Sequence, residues 1–535
     1  MPLLVTDLKL GIESSEYDLK TCIAKRLKVR HTDILSFRVV RMSLDARKKN
    51  ELHFVYAAAV VLDARTEQIL AKKGLQGVSL LPEKCSRTIP HGTLPLDKPI
   101  VIVGFGPGGL FAAYTLAKHG YKPIVIERGE PIERRSLSVE AFFSTARLDE
   151  NSNVMFGEGG AGAFSDGKLT TRIKDERAAE VLEILAENGA PEDITAAAKP
   201  HIGTDILKSV VKNMRLRIEA MGGKVLFGTK LVDISRQSDG SIASVEVESA
   251  GVVSSIPCRA CILAIGQAAR DTYRMLSQLG IELVAKPFAV GVRIEHPQEL
   301  INRAQYGDFF AHPRLGAAEY RLTGKSGERG VYSFCMCPGG VVVASSSGKG
   351  QVVTNGMSYH ARDGRNANAA IVVSVNTSDF ANDPLQGLCF QEKLEHDAFL
   401  LGGGSYSAPA ERLYDFMHGA VPTGFGEVTP TYRPGVKAAA LEECLPDFIA
   451  KGLYDGLSNF GRKIAGFDMG DAVLTAVETR TSSPVRIQRT ELGEATRMQG
   501  LFPVGEGAGY AGGIVSAAVD GMRAAERIIA IYSEA

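Results

Sequence analysis

The chain has 535 residues, of which 45% are apolar and 23% charged, and its formal net charge is zero. These values are ordinary for a globular protein of two to four domains with large buried cores. The apolar run Phe54–Leu62 is too short to cross a bilayer, and residues 1–20 contain acids and no signal-peptide pattern. We therefore expect a cytoplasmic protein that does not enter a membrane.

The eight cysteines and ten histidines are spread along the chain. This spacing does not fit a disulfide framework, and no histidine cluster has metal-ligand spacing, so we expect no metal. Cys258 and Cys261 resemble half of a zinc or redox site. However, they lie in Ser254–Ile265, which is predicted to be one strand, and no second pair is near. Buried thiols are the better interpretation there.

Residues 1–95 are predicted to form a small α+β module. Strand-like runs and two helical segments follow the order β-α-β-β-α, which suggests a ferredoxin-like sandwich. The module holds 16 Lys and Arg against 10 Asp and Glu. Arg47, Lys48 and Lys49 occupy its charged turn and could meet phosphate or nucleic acid, although such turns are usually only solvated. Four prolines between residues 82 and 99 indicate a linker before the next domain.

Residues 99–127 have the pattern of a dinucleotide-binding unit. The apolar run Ile100–Val103 predicts a buried parallel strand. G-x-G-x-x-G follows at Gly104, Gly106 and Gly109, then a helix, then a second strand that ends at Glu127. The glycines allow a tight turn, approach of a diphosphate and close helix packing. Glu127 can accept hydrogen bonds from a ribose.

The same glycine pattern recurs from Gly157 and from Gly507, but only the copy at Gly104 has a strand before it, a helix after it and an acid at the end of a second strand. Residues 162–168 nearly form a P-loop, but Leu169 stands where Ser or Thr must bind Mg²⁺, so we reject a nucleotide triphosphatase. The glycine-dense segment suits closure over a polar ligand instead. Residues 286–460 change to strand-like runs among Gly, Asn and Ser turns, which predicts an inserted, mostly antiparallel domain.

The end of the chain repeats a strand, a glycine turn and a helix from about Gly513. No strand follows, so this segment cannot begin a second dinucleotide unit. Its helix N-terminus can serve the far end of a ligand held at Gly104. We therefore predict an α/β fold in which residues 96–285 and 461–535 form one Rossmann-like domain with a parallel sheet.

Four sequence segments, in this order, resemble motifs of FAD-binding proteins of the glutathione-reductase-like clan. The first is the glycine fingerprint with Glu127, and the second is Leu231, which falls where the clan places a backbone group against adenine. The third, Ala264-Ile265-Gly266, resembles the clan's Ala-Thr-Gly motif. The fourth, Gly505-Glu506, resembles the Gly-Asp motif near the end of the clan's sequences. More closely, the whole chain is similar to a family of FAD-dependent dehydrogenases of unassigned substrate. The similar segments are Ser43–Lys49, Phe156–Gly162, Cys335–Gly340 and Thr354–Ser358.

The resemblance implies that FAD is the cofactor and that redox chemistry is the function. The positions predicted to bind FAD are Gly104, Gly106, Pro107, Gly108, Gly109, Glu127, Arg128, Gly159, Gly160, Ala161, Gly162, Ser165, Asp166, Gly167, Lys168, Leu169, Leu231, Ala264, Ile265, Gly266, Gly505, Glu506, Gly512, Gly513 and Ile514. The last helix would direct its positive end toward the flavin.

Substrate chemistry is assigned to Cys335, Cys337, His360 and Arg362. The two cysteines are too close for the Cys-x-x-Cys or Cys-x4-Cys disulfide of flavin disulfide reductases. A nucleophilic or redox thiol competes with buried strand cysteines as the explanation. His360 and Arg362 could bind a carboxylate or donate a proton, or be surface residues.

Three functions remain open at this stage. The first is a flavin oxidoreductase acting on a small organic substrate, with NAD(P)H or an electron carrier as a transient partner. The second is an FAD-dependent RNA- or tRNA-modifying enzyme that uses the basic module. The third is a flavin-binding protein without enzymatic activity.

Overall fold

The computed structural model describes residues 2–82 and 87–534, so Cys85 and the ends of the chain lie outside it. The first described part is a four-stranded antiparallel sheet in the order β2-β3-β1-β4 with two helices. This is the βαββαβ order of ferredoxin-like folds. Its elements are β1 (Leu3–Gly11), α1 (Glu16–Leu27), β2 (Ser36–Asp45), β3 (His53–Val61), α2 (Ala64–Lys72) and β4 (Val78–Leu80).

Local capping explains where α1 begins. The Ser15 side chain accepts from the backbone N–H of Asp18, and the Asp18 carboxylate accepts from the Ser15 N–H at 2.8 Å. This reciprocal pair satisfies donors that the first helical turn leaves free. The short edge strand β4 was not predicted, since three residues carry too little alternation to be recognised.

The next part, residues 100–278, holds most of the nucleotide-binding architecture. Its elements are β5 (Ile100–Val103), α3 (Pro107–Lys118), β6 (Ile124–Ile126), α4 (Ile132–Thr145), α5 (Arg177–Glu187), α6 (Thr204–Ala220), β7 (Lys224–Leu226), β8 (Thr229–Arg236), β9 (Ile242–Ser249), β10 (Val252–Pro257), β11 (Ala260–Leu263) and α7 (Arg270–Gln278). The single strand predicted over Ser254–Ile265 is wrong. It divides at Cys258 and Arg259 because β10 pairs with β9, whereas β11 pairs with β5.

Residues 283–487 contain the antiparallel part. Its elements are β12 (Leu283–Ala285), β13 (Phe288–Pro297), α8 (Gln298–Tyr306), β14 (Thr323–Ser326), β15 (Arg329–Cys337), β16 (Gly340–Ala344), β17 (Thr354–Ser358), β18 (Asn366–Val375), α9 (Pro384–Leu401), β19 (Ala408–Arg412), α10 (Leu413–His418), β20 (Val436–Ala438), α11 (Asp447–Phe460), β21 (Val473–Glu478) and β22 (Val485–Ile487).

This part is built on a seven-stranded sheet in the order β14-β15-β18-β13-β21-β19-β20. Every pairing in it is antiparallel except that of β19 with β20. Strand β21 lies inside this sheet although it follows residue 460. The boundary predicted at residue 460 is therefore too early, because β21 pairs with β13 and β19.

The chain then returns to the parallel sheet with β23 (Leu501–Pro503) and α12 (Ile514–Ile531). The order of that sheet is β23-β11-β5-β6-β7, and its pairings are parallel. Strand β5 is fully buried, as expected for a parallel sheet with helices on both faces. Helix α12 packs against α3 so closely that a Cβ on Gly521 would lie 2.0 Å from the Gly108 oxygen.

The proline-rich stretch predicted as a linker is held in place over its described part, residues 87–99. The Gly92 N–H donates to the Ile529 carbonyl at 2.8 Å, and the Ser533 N–H donates to the Leu94 carbonyl at 2.8 Å. A Cβ on Gly92 would lie 2.1 Å from the Ile531 carbonyl carbon. The segment is therefore a strap bound along the C-terminal end of α12.

Candidate functional site

The predicted glycine turns meet at one edge of the parallel sheet. In a parallel sheet the carboxyl ends of all strands lie on the same side, where ligands bind. The backbone continues the pairing just beyond the strands, since Ala264 N–H donates to Val103 and Val504 N–H donates to Leu263 at 2.8 and 2.9 Å. Residues following β5, β6, β11 and β23 thus surround one groove.

Two glycines of the first turn are required by the fold itself. Gly104 has φ +92°, and a Cβ there would lie 2.4 Å from the Ala264 oxygen. A Cβ on Gly109 would lie 1.9 Å from the Gly104 oxygen. These positions allow the sharp turn and the close approach of α3 to β5.

Gly106 has a different environment. A Cβ there would meet only the Gly160 Cα, at an ordinary contact distance of 3.6 Å. Gly106 is also the N-cap of α3, and no side chain caps that helix. The space and the backbone donors at this helix start are available for an anion such as a diphosphate.

The glycine-dense segment links this turn to the last helix. The Gly160 Cα lies against Gly106, and a Cβ on Gly162 would be 3.3 Å from the Ile514 side chain and 3.7 Å from Pro107. Helix α12 begins after Gly513 with no side-chain cap, and a Cβ on Gly512 would meet nothing within 4 Å. Two helix N-termini therefore open onto the same groove.

Glu127 lies at the end of β6 and is buried. Its carboxylate accepts backbone hydrogen bonds from Phe105 at 2.8 Å and from Gly129 and Gly157 at 2.9 Å. Arg128 stacks on Phe156 at 4.3 Å and pairs with Asp271 at 3.1 Å. Glu127 thus fixes the turns around a cleft whose lining is Val103, Gly104, Ile126, Glu127, Arg128, Phe156, Thr229, Leu231, Ile265 and Thr272.

These residues fit the FAD expected from the sequence. The cleft at Glu127 and Leu231 suits an adenosine, and the space above Gly106 suits a diphosphate. Gly266 and Gly512 leave open room further along.

Glu506 follows β23 on the far side of the groove. Burial raises the pKa of its carboxyl to about 7, which the Lys286 cation only partly opposes. The Gln267 side-chain amide donates to its Oε1 at 3.0 Å. The Cys335 sulfur also acts on the Glu506 pKa, so this carboxyl faces β15 of the antiparallel sheet.

The segment around Asp166 joins the two halves of the molecule. Asp166 is buried, pairs with Lys168 at 3.2 Å, and accepts from Arg362 Nε at 3.1 Å. Burial alone would raise the Asp166 pKa, but these two cations hold it below its usual value. The Lys168 ammonium donates to the Met336 carbonyl. Arg362 and Lys168 are thereby brought together at the cysteine segment.

Cys335 and Cys337 lie at the end of β15 on either side of Met336. The Cys337 thiol donates to the Cys335 carbonyl at 3.3 Å. A hydrogen bond from Cys337 lowers the pKa of the Cys335 thiol against the effect of burial, and Lys168 and Arg293 lower it further. Of the two, Cys337 is buried and Cys335 only partly so.

His360 is placed differently from the other candidates. Its Nδ1 is 3.0 Å from the Ile202 carbonyl, and its ring stacks on His201 with centroids 5.2 Å apart. His201 Nε2 is in turn 3.0 Å from the His360 carbonyl. Both rings hold the 360–362 loop against residues 201–202, which is a positioning contact between the two halves.

The sequence analysis missed Arg293 and Glu478. Arg293 is fully buried on β13 and binds Glu478 with 2.7 and 2.9 Å contacts. It also donates to the Cys335 carbonyl at 3.0 Å. The signal was present, because a lone arginine inside the apolar run Phe288–Ile294 needs a buried partner.

The charged turn of the first module is largely engaged with its own chain. Arg47 pairs with Asp45, and Lys48 with Glu51 at 3.2 Å. A Cβ on Gly307 would lie 3.3 Å from the Lys49 Cβ. The turn therefore packs against the antiparallel part next to α8.

Cys258 and Cys261 are buried thiols, as the sequence analysis interpreted them. Burial raises the pKa of the Cys258 thiol to about 12. Among the described residues, no group of three or more His, Cys, Asp or Glu side chains could hold a metal ion. No helix in the described ranges is long and apolar enough to span a membrane.

Comparisons with known proteins extend these observations. Residues 287–481 match the family described as FAD-dependent protein, C-terminal domain-like. Residues 1–61 match a domain of unknown function (DUF8436). An uncharacterized protein of Clostridium beijerinckii is 49% identical over 532 residues, covering 99% of each chain.

More distant similarities are weaker. Mitochondrial dihydrolipoyl dehydrogenase of Mesocricetus auratus is 24% identical over 47% of this chain, which spans only 56% of that enzyme. A triple mutant of the flavin-dependent brominase Bmp2 aligns at 10% identity and a TM-score of 0.36, covering 80% of this chain and 79% of its own. Glycine oxidase of Geobacillus kaustophilus aligns at 13% identity and 0.32, covering 82% and 95%. Such low TM-scores carry no argument about function.

The full-length match and the family match together give the assignment. The chain belongs to the same family as the Clostridium beijerinckii protein, its residues 287–481 form an FAD-dependent protein, C-terminal domain-like region, and its cofactor is FAD.

Proposed function

We propose that the protein is an FAD-dependent oxidoreductase that exchanges a hydride or electrons between bound FAD and a small organic substrate. One observation carries this proposal. Glu506 follows β23 at the same sheet edge as the α3 turn, the Cys335 sulfur affects its pKa, and Lys168 donates to the Met336 carbonyl next to that cysteine. A cofactor in the groove at this edge would have its far end beside ionisable side chains rather than beside inert packing.

The residues assigned to FAD fall into three groups. Glu127 and Leu231 would hold the adenosine, and Gly106 with the 159–162 segment would surround the diphosphate. Glu506 and the start of α12 would meet the ribityl and ring end. FAD supplies the hydride and electron chemistry when bound, and the positive end of α12 would stabilise negative charge that develops there.

The substrate would lie between the 166–168 segment and β15. Lys168 and Arg362 present cations to this space, partly balanced by Asp166. Cys335 is the partly exposed thiol beside them, so it is our first choice for contact with substrate. Cys337 supports it, Arg362 orients the loop through Asp166, and His360 positions that loop.

Within the described residues, the glycine pattern between β23 and α12 is not followed by a further strand, so it does not complete a second dinucleotide-binding unit. We therefore propose that NAD(P)H or an electron carrier visits the same space transiently, or that the substrate itself reduces FAD. Resemblance to the glutathione-reductase-like clan and similarity to dihydrolipoyl dehydrogenase over 47% of the chain support an oxidoreductase rather than a simple flavin carrier.

The test is anaerobic bleaching of the bound flavin. Purified holoprotein is screened against small organic acids, amines, thiols and NAD(P)H, and the visible flavin absorption is followed. Loss of absorption with one chemical class, restored by an electron acceptor, is expected. A colourless protein that fails to take up FAD would contradict the cofactor assignment. A yellow protein that no compound bleaches would contradict the enzymatic function.

A further inference from the structure

The inner end of β15 departs from regular strand geometry at the cysteines. Its pairing with β18 is regular from Val331 to Phe334 and then slips by one residue before Cys337. Cys335 has φ +43°, in the left-handed region. A bulge re-aims side chains, and a non-glycine residue held in this region indicates a functional constraint when the surroundings enforce it.

The two cysteines are within bonding reach of each other. Cα atoms two residues apart in an extended strand are separated by about 6.6 Å, inside the span of about 4.4–6.8 Å that disulfides bridge. The two residues already interact, because the Cys337 thiol donates to the Cys335 carbonyl at 3.3 Å. This differs from the longer-spaced disulfides of flavin disulfide reductases.

Two glycines next to β15 leave room for the Cys337 thiol. A Cβ on Gly356 would lie 2.7 Å from the Cys337 sulfur and 2.2 Å from Arg293 Nη1. A Cβ on Gly340 would lie 3.1 Å from the Cys337 Cβ. Two glycines on the adjoining hairpin β16–β17 therefore admit the thiol together with the guanidinium.

The charges around the pair favour a thiolate at Cys335. Arg293 donates to its carbonyl at 3.0 Å, and Lys168 donates to the carbonyl of Met336. Asp166 and Glu506 are the carboxyls that face the pair and oppose this effect. A thiolate next to a thiol is the reactive arrangement for disulfide formation.

We propose that Cys335 and Cys337 form a dithiol–disulfide pair that exchanges two electrons with the bound FAD. In the forward direction, the Cys335 thiolate and the Cys337 thiol lose two electrons and one proton as the S–S bond forms. The oxidised flavin is the oxidant and accepts both electrons and a proton. This inference rests on the proposed function, because the flavin is the redox partner.

The first experiment counts electrons. Holoprotein is oxidised with diamide, desalted and titrated anaerobically with dithionite while the flavin absorption is followed. We expect wild type to take up about four electrons per FAD and Cys335→Ser about two, because a disulfide adds a two-electron couple. Cys389→Ser is the matched control, since Cys389 is exposed on α9, and it should still take up about four.

The second experiment measures mass. The tryptic peptide Gly330–Lys349, alkylated before reduction, should escape alkylation in the diamide-oxidised wild type and be lighter by about 2 Da than the dithiol form. Cys337→Ser should give an alkylated peptide. This readout needs no activity and works in wild type even where a variant folds poorly.

The outcomes separate the two proposals. A flavin that bleaches with about two electrons in oxidised wild type, with both cysteines alkylated, would overturn the dithiol pair and leave the oxidoreductase intact. Protein that contains no FAD would instead contradict the proposed function. Uptake of about four electrons by Cys335→Ser as well would place the extra couple elsewhere and also overturn the pair.

Discussion

The carboxyl edge of the parallel sheet and the bulged end of β15 face each other, but they are built from different materials. The first consists of glycines, uncapped helix starts and backbone donors, with Glu127 holding turns through three backbone N–H groups. The second consists of charged side chains, of which Arg293, Glu478 and Asp166 are buried and Lys168 is partly exposed. The backbone edge suits shape-based binding of a cofactor. The charged end of β15 suits reactions with a substrate.

Because the two regions are built from different groups, a substitution can weaken FAD binding without changing the reactivity of the thiols, and the reverse. A Cβ added at the sheet edge would occupy the ligand's space without touching the thiols. A charge removed near β15 would change the thiols without closing the groove. Each prediction below tests whether the two regions are independent in this way.

The largest effect is expected from Arg293→Met. Arg293 is fully buried, and its loss leaves Glu478 without its cation. Breaking a buried pair on one side costs about 3–5 kcal/mol. Urea unfolding should show that loss in the free energy of unfolding.

Arg303→Met is the matched control for this substitution. Arg303 pairs with Glu299 on the surface, where both side chains are more than half exposed. Its removal should change stability by less than about 0.5 kcal/mol. Equal losses in the two variants would show that the buried pair does not hold the antiparallel half together.

Gly106→Ala tests the sheet edge. The new Cβ would meet protein only at 3.6 Å, so the urea midpoint should stay unchanged. The methyl group would stand where the diphosphate must approach, and FAD affinity should fall at least tenfold, or about 1.4 kcal/mol. Flavin fluorescence quenching on titration measures this.

Gly11→Ala is its control, because a Cβ there would meet Ser14 at 3.8 Å in the first module. It should leave both FAD affinity and stability unchanged. If Gly106→Ala binds FAD as tightly as wild type does, the diphosphate does not bind at this turn.

Lys168→Met tests the charged end. Lys168 lowers the pKa of the Cys335 thiol, so its removal raises that pKa and leaves less thiolate at a given pH. Alkylation of Cys335 by iodoacetamide at pH 5, below its pKa of about 6, should slow about tenfold, the effect of one pKa unit. Peptide mass spectrometry of Gly330–Lys349 follows the rate.

Lys208→Met provides the comparison for Lys168. The Lys208 ammonium lies 4.3 Å over the Phe164 ring and should not affect alkylation. Equal rates in Lys168→Met and wild type would mean that this lysine does not govern the thiol.

The last prediction concerns Glu506, where the two regions meet. Its folded pKa is raised to about 7, so its contribution to stability is complete below the unfolded value near 4.5 and is lost as the pH rises toward 7. Glu506→Gln removes this dependence. In flavin-free protein, wild type should lose up to about 1.4 kcal/mol per pH unit relative to the variant between pH 5 and 7. Parallel pH profiles of the two proteins would contradict a buried, uncompensated carboxyl.

The sheet edge was predictable from the sequence because its information is local. Gly104, Gly106 and Gly109 and the acid at Glu127 lie within one strand–turn–helix–strand unit, and each has a steric or hydrogen-bonding reason. The start of the last helix, predicted near Gly513, also agrees with the start of α12 at Ile514.

The charged end was not predictable because its members are distant in the chain. Arg293, Cys335 and Glu478 meet only when β13, β15 and β21 join one antiparallel sheet. Lys168 reaches them only from the other half of the molecule, and no spacing rule joins the four. The predictions of one strand over Ser254–Ile265 and of a domain boundary before β21 were wrong for a similar reason. Both depend on which sheet a short apolar run joins, which is decided by tertiary packing.

The parallel sheet is assembled from two separated stretches of the sequence. Four of its strands end by residue 263, whereas β23 begins at residue 501 and α12 follows it. At ordinary translation rates the ribosome needs roughly 12–50 s to synthesise what lies between. During this time the newly synthesised first stretch exposes the edge of its sheet at which β23 later pairs with β11. FAD capture is then the last event of biogenesis, and a chain released before residue 531 should emerge colourless and prone to aggregation.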